Sequence, residues 1–168
     1  MKSKILLSIF IIVVLIQLIR PMPNISDDNS KSITTAYEVP DDIQKMLQRA
    51  CADCHSNKTN YPWYSKIQPV AWWLNHHIEE GKEELNFSEF KNYKPKRQKH
   101  KLEEIAEQVE AHEMPMTAYT WTHPAAKLTE EQRTQLINWA KAAMEEINLA
   151  DTVVKMETKE ADEHEHAH

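Results

Sequence analysis

The only two cysteines of this 168-residue chain lie together in the segment Cys51-Ala-Asp-Cys54-His55. The pattern Cys-x-x-Cys-His is typical of covalent c-type haem attachment, in which the two thiols add to the two vinyl groups of the porphyrin. This chemistry needs the thiols about one helical turn apart, and it leaves the adjacent His55 to reach the iron as proximal ligand. We therefore expect one haem c per chain, held by Cys51, Cys54 and His55.

Three other chemistries use two cysteines at this spacing. A zinc site needs two further soft ligands, and the chain has no third cysteine. A thioredoxin-like redox pair belongs to a βαβ unit, which this sequence does not predict. A structural disulfide has no need of the following histidine. Each of the three explains the motif less completely than haem does.

The second axial ligand of the iron is expected from a methionine. Met114 and Met116 flank Pro115 in a loop after a predicted helix, and a thioether is a common distal ligand. We expect Met114, because Pro115 directly after it stiffens the loop that presents its sulfur, and Met116 is the alternative. His77 is a further alternative, although it can instead pack in the core or contact a propionate. The methionines can also be core packing.

Aromatic residues follow the cysteine motif closely, and aromatic rings cover a flat porphyrin well. Each of them can equally be an ordinary core residue. The candidates for a haem pocket are Tyr61, Trp63, Tyr64, Trp72 and Trp73.

The N-terminus carries a targeting segment. Lys2 and Lys4 precede an apolar run over residues 5–19, and Arg20 follows it. No small-x-small cleavage site comes next, so residues 1–20 are predicted to be an uncleaved membrane anchor helix. Its lysines would lie in the cytoplasm, and the rest of the chain on the periplasmic side of the inner membrane. A cleaved signal peptide is the main alternative.

Helices are predicted for the remainder of the chain. Apolar residues recur at helical spacing over residues 41–51, 66–80 and 98–111, and again after a capping box that begins at Thr129. The last helix is expected to fade near Leu149. The single glycine, Gly81, suits a helix C-cap, and so few glycines exclude nucleotide-binding loops. No stretch alternates as a strand, so the fold class is all-α.

The chain divides by composition into four parts. The anchor is followed by a polar linker (21–39), a helical haem-binding domain (40–150), and an acidic, His-rich tail (151–168) that is predicted to be disordered. The histidines of the tail can bind stray divalent metal or simply be solvated.

The charge of the chain bears on its partners. The net charge of −6 offers no support for nucleic-acid binding. The basic segment Lys94–Lys101 can dock an acidic redox partner, or it can be an ordinary solvated loop.

Residues 51–141 resemble the small bacterial haem-binding domain proteins of the cytochrome c-like superfamily. The resemblance implies a cytochrome c-like fold around one covalent haem, distal ligation by Met114, and an exported, membrane-associated location. The pieces that carry it are Cys51–Asn57, Tyr61–Tyr64, Pro69–Leu74, His77, Glu80–Lys82, Leu85–Phe90, Glu113–Pro115, Leu128–Arg133 and Ile137–Trp139.

Together these observations predict a membrane-anchored monohaem c-type cytochrome that transfers single electrons and is not an enzyme. Two other classes remain open. One is a haem-based sensor or gas-binding module, in which the methionine bond breaks to admit a small ligand. The other is a haem peroxidase, for which Glu113 beside Met114 is the acid–base candidate.

Overall fold

The computed structural model of the chain describes the backbone of residues 2–165 and the side chains of residues 2–149. This part of the chain contains eight α-helices, three short 3-10 helices and one isolated β-bridge, and the predicted all-α class is confirmed. The helices are α1 (Lys2–Ile16), α2 (Ile33–Ala36), α3 (Asp41–Ala50), α4 (Ala52–His55), α5 (Val70–Glu84), α6 (Pro95–Glu110), α7 (Thr117–Thr122) and α8 (Glu130–Glu165).

All four helices predicted from apolar periodicity are present, as α3, α5, α6 and α8. The capping box forms as expected, since the N–H of Gln132 donates to Thr129 Oγ1 and the N–H of Thr129 donates to Gln132 Oε1. Helix α5 begins at Val70 and continues beyond Gly81 to Glu84. Gly81 therefore lies inside the helix, and its predicted place at a C-cap is wrong.

The hydrophobic core lies mainly between α6 and α8, with α3 packed against α8. Leu102 of α6 and Leu136 and Ala140 of α8 are fully buried there, and Phe90 from the 3-10 helix before α6 joins them. Since α3 leads directly into α4, this core supports the segment that carries the two cysteines.

The segment predicted as a polar linker, residues 21–39, is part of the folded domain. Ile33 and Val39 are buried in the core, with exposed fractions of 3% and 6%. The Asn24 side chain donates to the carbonyl of Ser56 at 2.8 Å and accepts from Lys82 Nζ at 2.7 Å. The prediction was wrong because a few well-placed apolar and hydrogen-bonding residues are enough to dock a segment whose average composition is polar.

The apolar N-terminal segment forms α1, whose residues Ile5–Leu15 include no buried side chain. A helix of 15 residues is about 22 Å long. Among residues 2–165, no helix is both long enough and apolar enough to cross a membrane. The predicted anchor helix over residues 5–19 is therefore not found at that length, because α1 ends at Ile16. The next residue, Gln17, accepts a hydrogen bond from the N–H of Gln68.

The last helix is longer than expected, because α8 continues to Glu165 rather than fading near Leu149. The prediction of a disordered tail is therefore wrong for the backbone of residues 151–165. Residues 151–165 contain no glycine or proline and include four Glu and two Lys, which are good helix formers. The side chains of all three tail histidines, His164, His166 and His168, lie outside the described part.

A matched pair of isoleucines tests whether residues 21–39 belong to the domain. Ile33→Ala should lower the free energy of unfolding by about 2–4 kcal/mol, because it leaves a cavity in the core. Ile25→Ala should change it by less than about 0.5 kcal/mol, since the Ile25 side chain is 62% exposed. Urea unfolding of both variants measures the difference, and equal small effects would contradict the packing of this segment.

Candidate functional site

The two cysteines lie on either side of the first turn of α4. Cys51 caps the end of α3 and begins α4, and its carbonyl accepts from the N–H groups of Cys54 at 3.2 Å and His55 at 3.0 Å. Both thiols are free. Burial raises the pKa of Cys51 to about 12 and that of Cys54 to about 11, so both are protonated thiols at neutral pH.

The His55 imidazole is fixed by the backbone of α5. Its Nδ1 lies 2.7 Å from the carbonyl oxygen of Gly81 and 3.0 Å from that of Leu85. Carbonyl oxygens only accept hydrogen bonds, so Nδ1 carries the proton and the lone pair lies on Nε2. Burial lowers the pKa of His55 despite these bonds, which keeps the ring neutral. A neutral imidazole with its second nitrogen bonded to a carbonyl is the arrangement that proteins use to ligate a metal.

Gly81 allows α4 and α5 to approach each other closely. A Cβ atom at this position would lie 2.7 Å from the carbonyl oxygen of Cys54 and 3.1 Å from its Cβ. Any other residue would therefore push α5 away from the cysteine segment. The only glycine of the chain thus serves the contact that also brings the Gly81 carbonyl to His55.

The loop that carries Met114 is held at both ends. His112 ends α6 in the left-handed conformation, with φ of 60°. The N–H groups of Glu113 and Met114 then donate to the carbonyl of Gln108 at 3.0 and 3.1 Å. Arg133 of α8 donates through Nη1 to the carbonyls of Val109 and Met114, both at 3.0 Å. Hydrogen bonds to both its backbone N–H and its carbonyl thus fix the position of Met114.

Two adjoining cavities, of about 190 and 260 Å³, bring the predicted haem residues together. Cys51, His55 and Met114 line both cavities, and Cys54 lines the first. Met116 and His77, the alternative distal ligands, line the first cavity but not the second. The ring of His77 packs edge-on against Trp73 at 4.5 Å, and its Nδ1 lies 3.4 Å from Glu80.

The predicted aromatic pocket residues divide into two groups. Tyr64 and Trp73 line a third cavity of about 320 Å³, together with Cys54, His77 and Met116. The structure does not bring the other three aromatic side chains to these cavities. The Tyr61 hydroxyl accepts from the N–H of Asn24, the Trp72 indole donates to the carbonyl of Ile19, and Trp63 is exposed.

Tyr119 is a site residue that the sequence did not reveal. It lines the first and third cavities, and its hydroxyl donates to Asp53 Oδ2 at 2.7 Å. Burial, followed by this bond to a carboxylate, raises the pKa of Tyr119. Asp53 lies between the two cysteines, so the bond ties α7 to the cysteine motif. Helix α7 has six residues, which is too few for apolar periodicity to predict it. The only sequence signal for Tyr119 is its position three residues after Met116.

The basic segment Lys94–Lys101 is less available for docking than its composition suggests. Lys101 has a side chain only 9% exposed, and its Nζ lies 2.6 Å from Glu104 and 3.3 Å from Glu84. Burial lowers the pKa of Lys101, but the bonds to the two carboxylates outweigh this and raise it overall. Arg97 lies over the ring of Tyr93. Lys94 and Lys96 are exposed, so only part of the predicted charge faces solvent.

The alternatives to haem find no support in the described residues. No group of three or more His, Cys, Asp or Glu side chains in this part of the chain is arranged to hold a metal ion. The two thiols are not joined as a disulfide, and no β-strand is present between residues 2 and 165 for a thioredoxin-like unit. By contrast, protonated thiols, a neutral imidazole with a free Nε2 and a thioether around connected, largely apolar cavities match the donors that haem c requires.

A comparison with known families agrees with this site. The sequence model of the haem-binding domain family matches residues 11–142, which is most of the chain. The chain therefore belongs to the haem-binding domain family, and haem is its cofactor. No curated protein matched the chain in a sequence search, and no solved structure matched it either.

Gly81→Ala tests the close contact between α5 and the cysteine segment. Alanine is the better helix former by about 1 kcal/mol, so helix propensity alone predicts stabilisation. We expect a loss of about 1–3 kcal/mol instead, because the added methyl group meets the Cys54 backbone. Chemical unfolding measures the change, with the exposed Glu79→Ala on the same helix as control. A more stable Gly81→Ala protein would contradict the contact.

Proposed function

We propose that the chain is a monohaem c-type cytochrome, which carries single electrons and is not an enzyme. One observation carries the proposal: both cysteines, His55 with its free Nε2 and Met114 line one cavity, and Cys51, His55 and Met114 also line the adjoining one. Haem supplies a one-electron iron couple when bound. The residues of the chain then attach the group, ligate it and limit the access of water.

Covalent attachment follows from the state of the thiols. Cys51 and Cys54 are protonated, free and placed at the two ends of one short helical turn. Each has an S–H to add across a vinyl group, and neither has a competing partner among the described side chains. Tyr119 holds Asp53 between them, which limits the freedom of the segment.

The residues that would hold the haem iron are His55 and Met114. The imidazole is oriented by two backbone carbonyls, so it need not reorganise to ligate a metal. Met114 is presented by a loop with hydrogen bonds from both sides, whereas Met116 lines only the first of the two cavities and is followed by α7. A thioether ligand raises the reduction potential relative to a second histidine, which suits an electron carrier.

We further propose that the protein works at a membrane, outside the cytoplasm. The support is the exposed apolar surface of α1 and the two lysines in its first turn, Lys2 and Lys4, which favour retention of this end on the cytoplasmic side. A redox partner with acidic groups would meet the exposed Lys94 and Lys96.

Covalent attachment is tested on protein made with a c-type maturation system. Haem should stay with the chain after acid–acetone extraction, and the intact mass should increase by one haem. The double variant Cys51→Ser, Cys54→Ser should release its haem under the same conditions. Haem that extracts freely from the unmodified protein would contradict the c-type assignment while leaving haem binding itself intact.

The distal ligand is tested by a matched pair of methionine variants. Met114→Ala should abolish the weak far-red charge-transfer band of the oxidised protein, open the reduced iron to carbon monoxide and lower the reduction potential. Met116→Ala should leave all three unchanged. Absorption spectra and a redox titration measure these effects.

The opposite pattern, with the band lost only in Met116→Ala, would move the assignment to Met116. If the unmodified protein lacks the far-red band and the iron becomes high-spin in His77→Ala, the distal ligand would be His77. Carbon monoxide binding to the unmodified reduced protein would contradict the electron-carrier assignment and favour a sensor or a peroxidase.

A further inference from the structure

The apolar helix α1 is joined to the haem domain by side-chain hydrogen bonds rather than by a free linker. The N–H of Gln68 donates to Gln17 Oε1 at 2.9 Å, and Gln17 Nε2 donates back to the Gln68 carbonyl at 3.4 Å. The carbonyl of Ile19 accepts from Gln68 Nε2 at 2.7 Å and from the Trp72 indole at 3.0 Å. We call this set of contacts the Gln17–Gln68 junction. It fixes the direction in which α1 leaves the domain.

An apolar surface begins at this junction. Ile67 and Val70 flank Gln68 and Pro69, and Trp73 follows one turn later on α5. Trp63 packs edge-on against Tyr64, whose hydroxyl donates to Thr122, the neighbour of Trp121. The two segments meet at the third cavity, which is lined by Tyr64, Val70, Trp73 and Thr122. We call the exposed apolar side chains of these segments the aromatic patch, and their exposed fractions lie between 39% and 79%: Trp63, Ile67, Val70, Trp73 and Trp121.

The two sequence segments that form the aromatic patch contain no acidic residue. The chain has 26 acidic residues, yet none lies in residues 59–78 or 114–129, the two segments that form the patch. Lys66 and Arg20 are exposed nearby and line a common cavity beside the junction. Exposed tryptophans with flanking cations and no acids are the composition of surfaces that lie at lipid headgroups.

We propose that the aromatic patch lies against the lipid–water interface, with the Gln17–Gln68 junction setting this orientation. The inference rests on the proposed membrane location of α1, with which the patch is continuous. Indole rings place their apolar bodies among the acyl chains and their N–H groups at the headgroups. A protein partner or a second copy is a less suitable occupant, since neither accounts for an adjoining helix that is apolar on all sides.

The orientation has a consequence for the haem site. The cavity that Cys54, His77 and Met116 share is also lined by Val70 and Trp73 of the patch. In the proposed orientation, the opening of this third cavity would face the bilayer surface. Electron exchange through this opening would be with a partner in or on the membrane.

Lipid photolabelling of the full haem-loaded chain tests the proposal. The protein is reconstituted into phosphatidylcholine–phosphatidylglycerol vesicles that contain a phospholipid with a diazirine near the glycerol backbone, and labelled peptides are mapped by mass spectrometry. Label is expected on α1 and on peptides that contain Trp63, Trp73 and Trp121. Peptides from α6 serve as the unlabelled control.

Label confined to α1 would overturn the proposed orientation while leaving the membrane location intact. Label on neither α1 nor the patch would instead contradict the membrane location itself. The two failures are thus distinguishable.

A pair of variants tests the junction. Gln17→Leu keeps α1 apolar but removes the reciprocal bonds to Gln68, so label on the patch should fall several-fold relative to label on α1. Ser8→Leu makes a similar change where the side chain bonds only within α1, and it should leave the ratio unchanged. An unchanged ratio in Gln17→Leu would overturn the role of the junction.

Discussion

The site depends on how closely the backbones of Cys54 and Gly81 approach each other. No side chain fits between them, and the same contact brings the Gly81 carbonyl within 2.7 Å of His55 Nδ1. The distance between α4 and α5 thereby determines both where the thiols lie and which nitrogen of the imidazole is free. Helix α5 is in turn held by the buried Ile78 and by the bond between Lys82 and Asn24.

The opposite wall of the site depends on a separate part of the fold. Arg133 projects from α8 to the end of α6 and bonds the carbonyls of Val109 and Met114. Its guanidinium is mostly buried, so these carbonyl bonds offset part of the cost of desolvating the charge. Because α6 and α8 form the main core, the methionine loop has the rigidity of the core rather than that of a surface loop.

Features encoded by neighbours in sequence could be predicted, and features encoded by distant residues could not. The cysteine motif, the capping box at Thr129 and the apolar stripes of the long helices are local patterns. The role of Gly81 is set by Cys54, which lies 27 positions earlier, and a glycine inside a helix looks from sequence alone like its end. The packing of Ile33 and the bond of Tyr119 to Asp53 likewise depend on contacts that no local pattern records.

Burial and ligand chemistry at the site act in the same direction on the proposed couple. Burial has the largest effect on His55 and lowers the imidazole pKa, while the bonds to the backbone and the nearby Glu84 raise it and Lys101 lowers it. The same dry environment disfavours any added positive charge, and therefore favours the reduced over the oxidised iron. A thioether from Met114 shifts the equilibrium the same way. The pairing of Lys101 with Glu84 and Glu104 keeps this lysine from adding a strong opposing field. A high reduction potential for the proposed cytochrome thus follows from burial and ligand chemistry together, not from an unpaired charge.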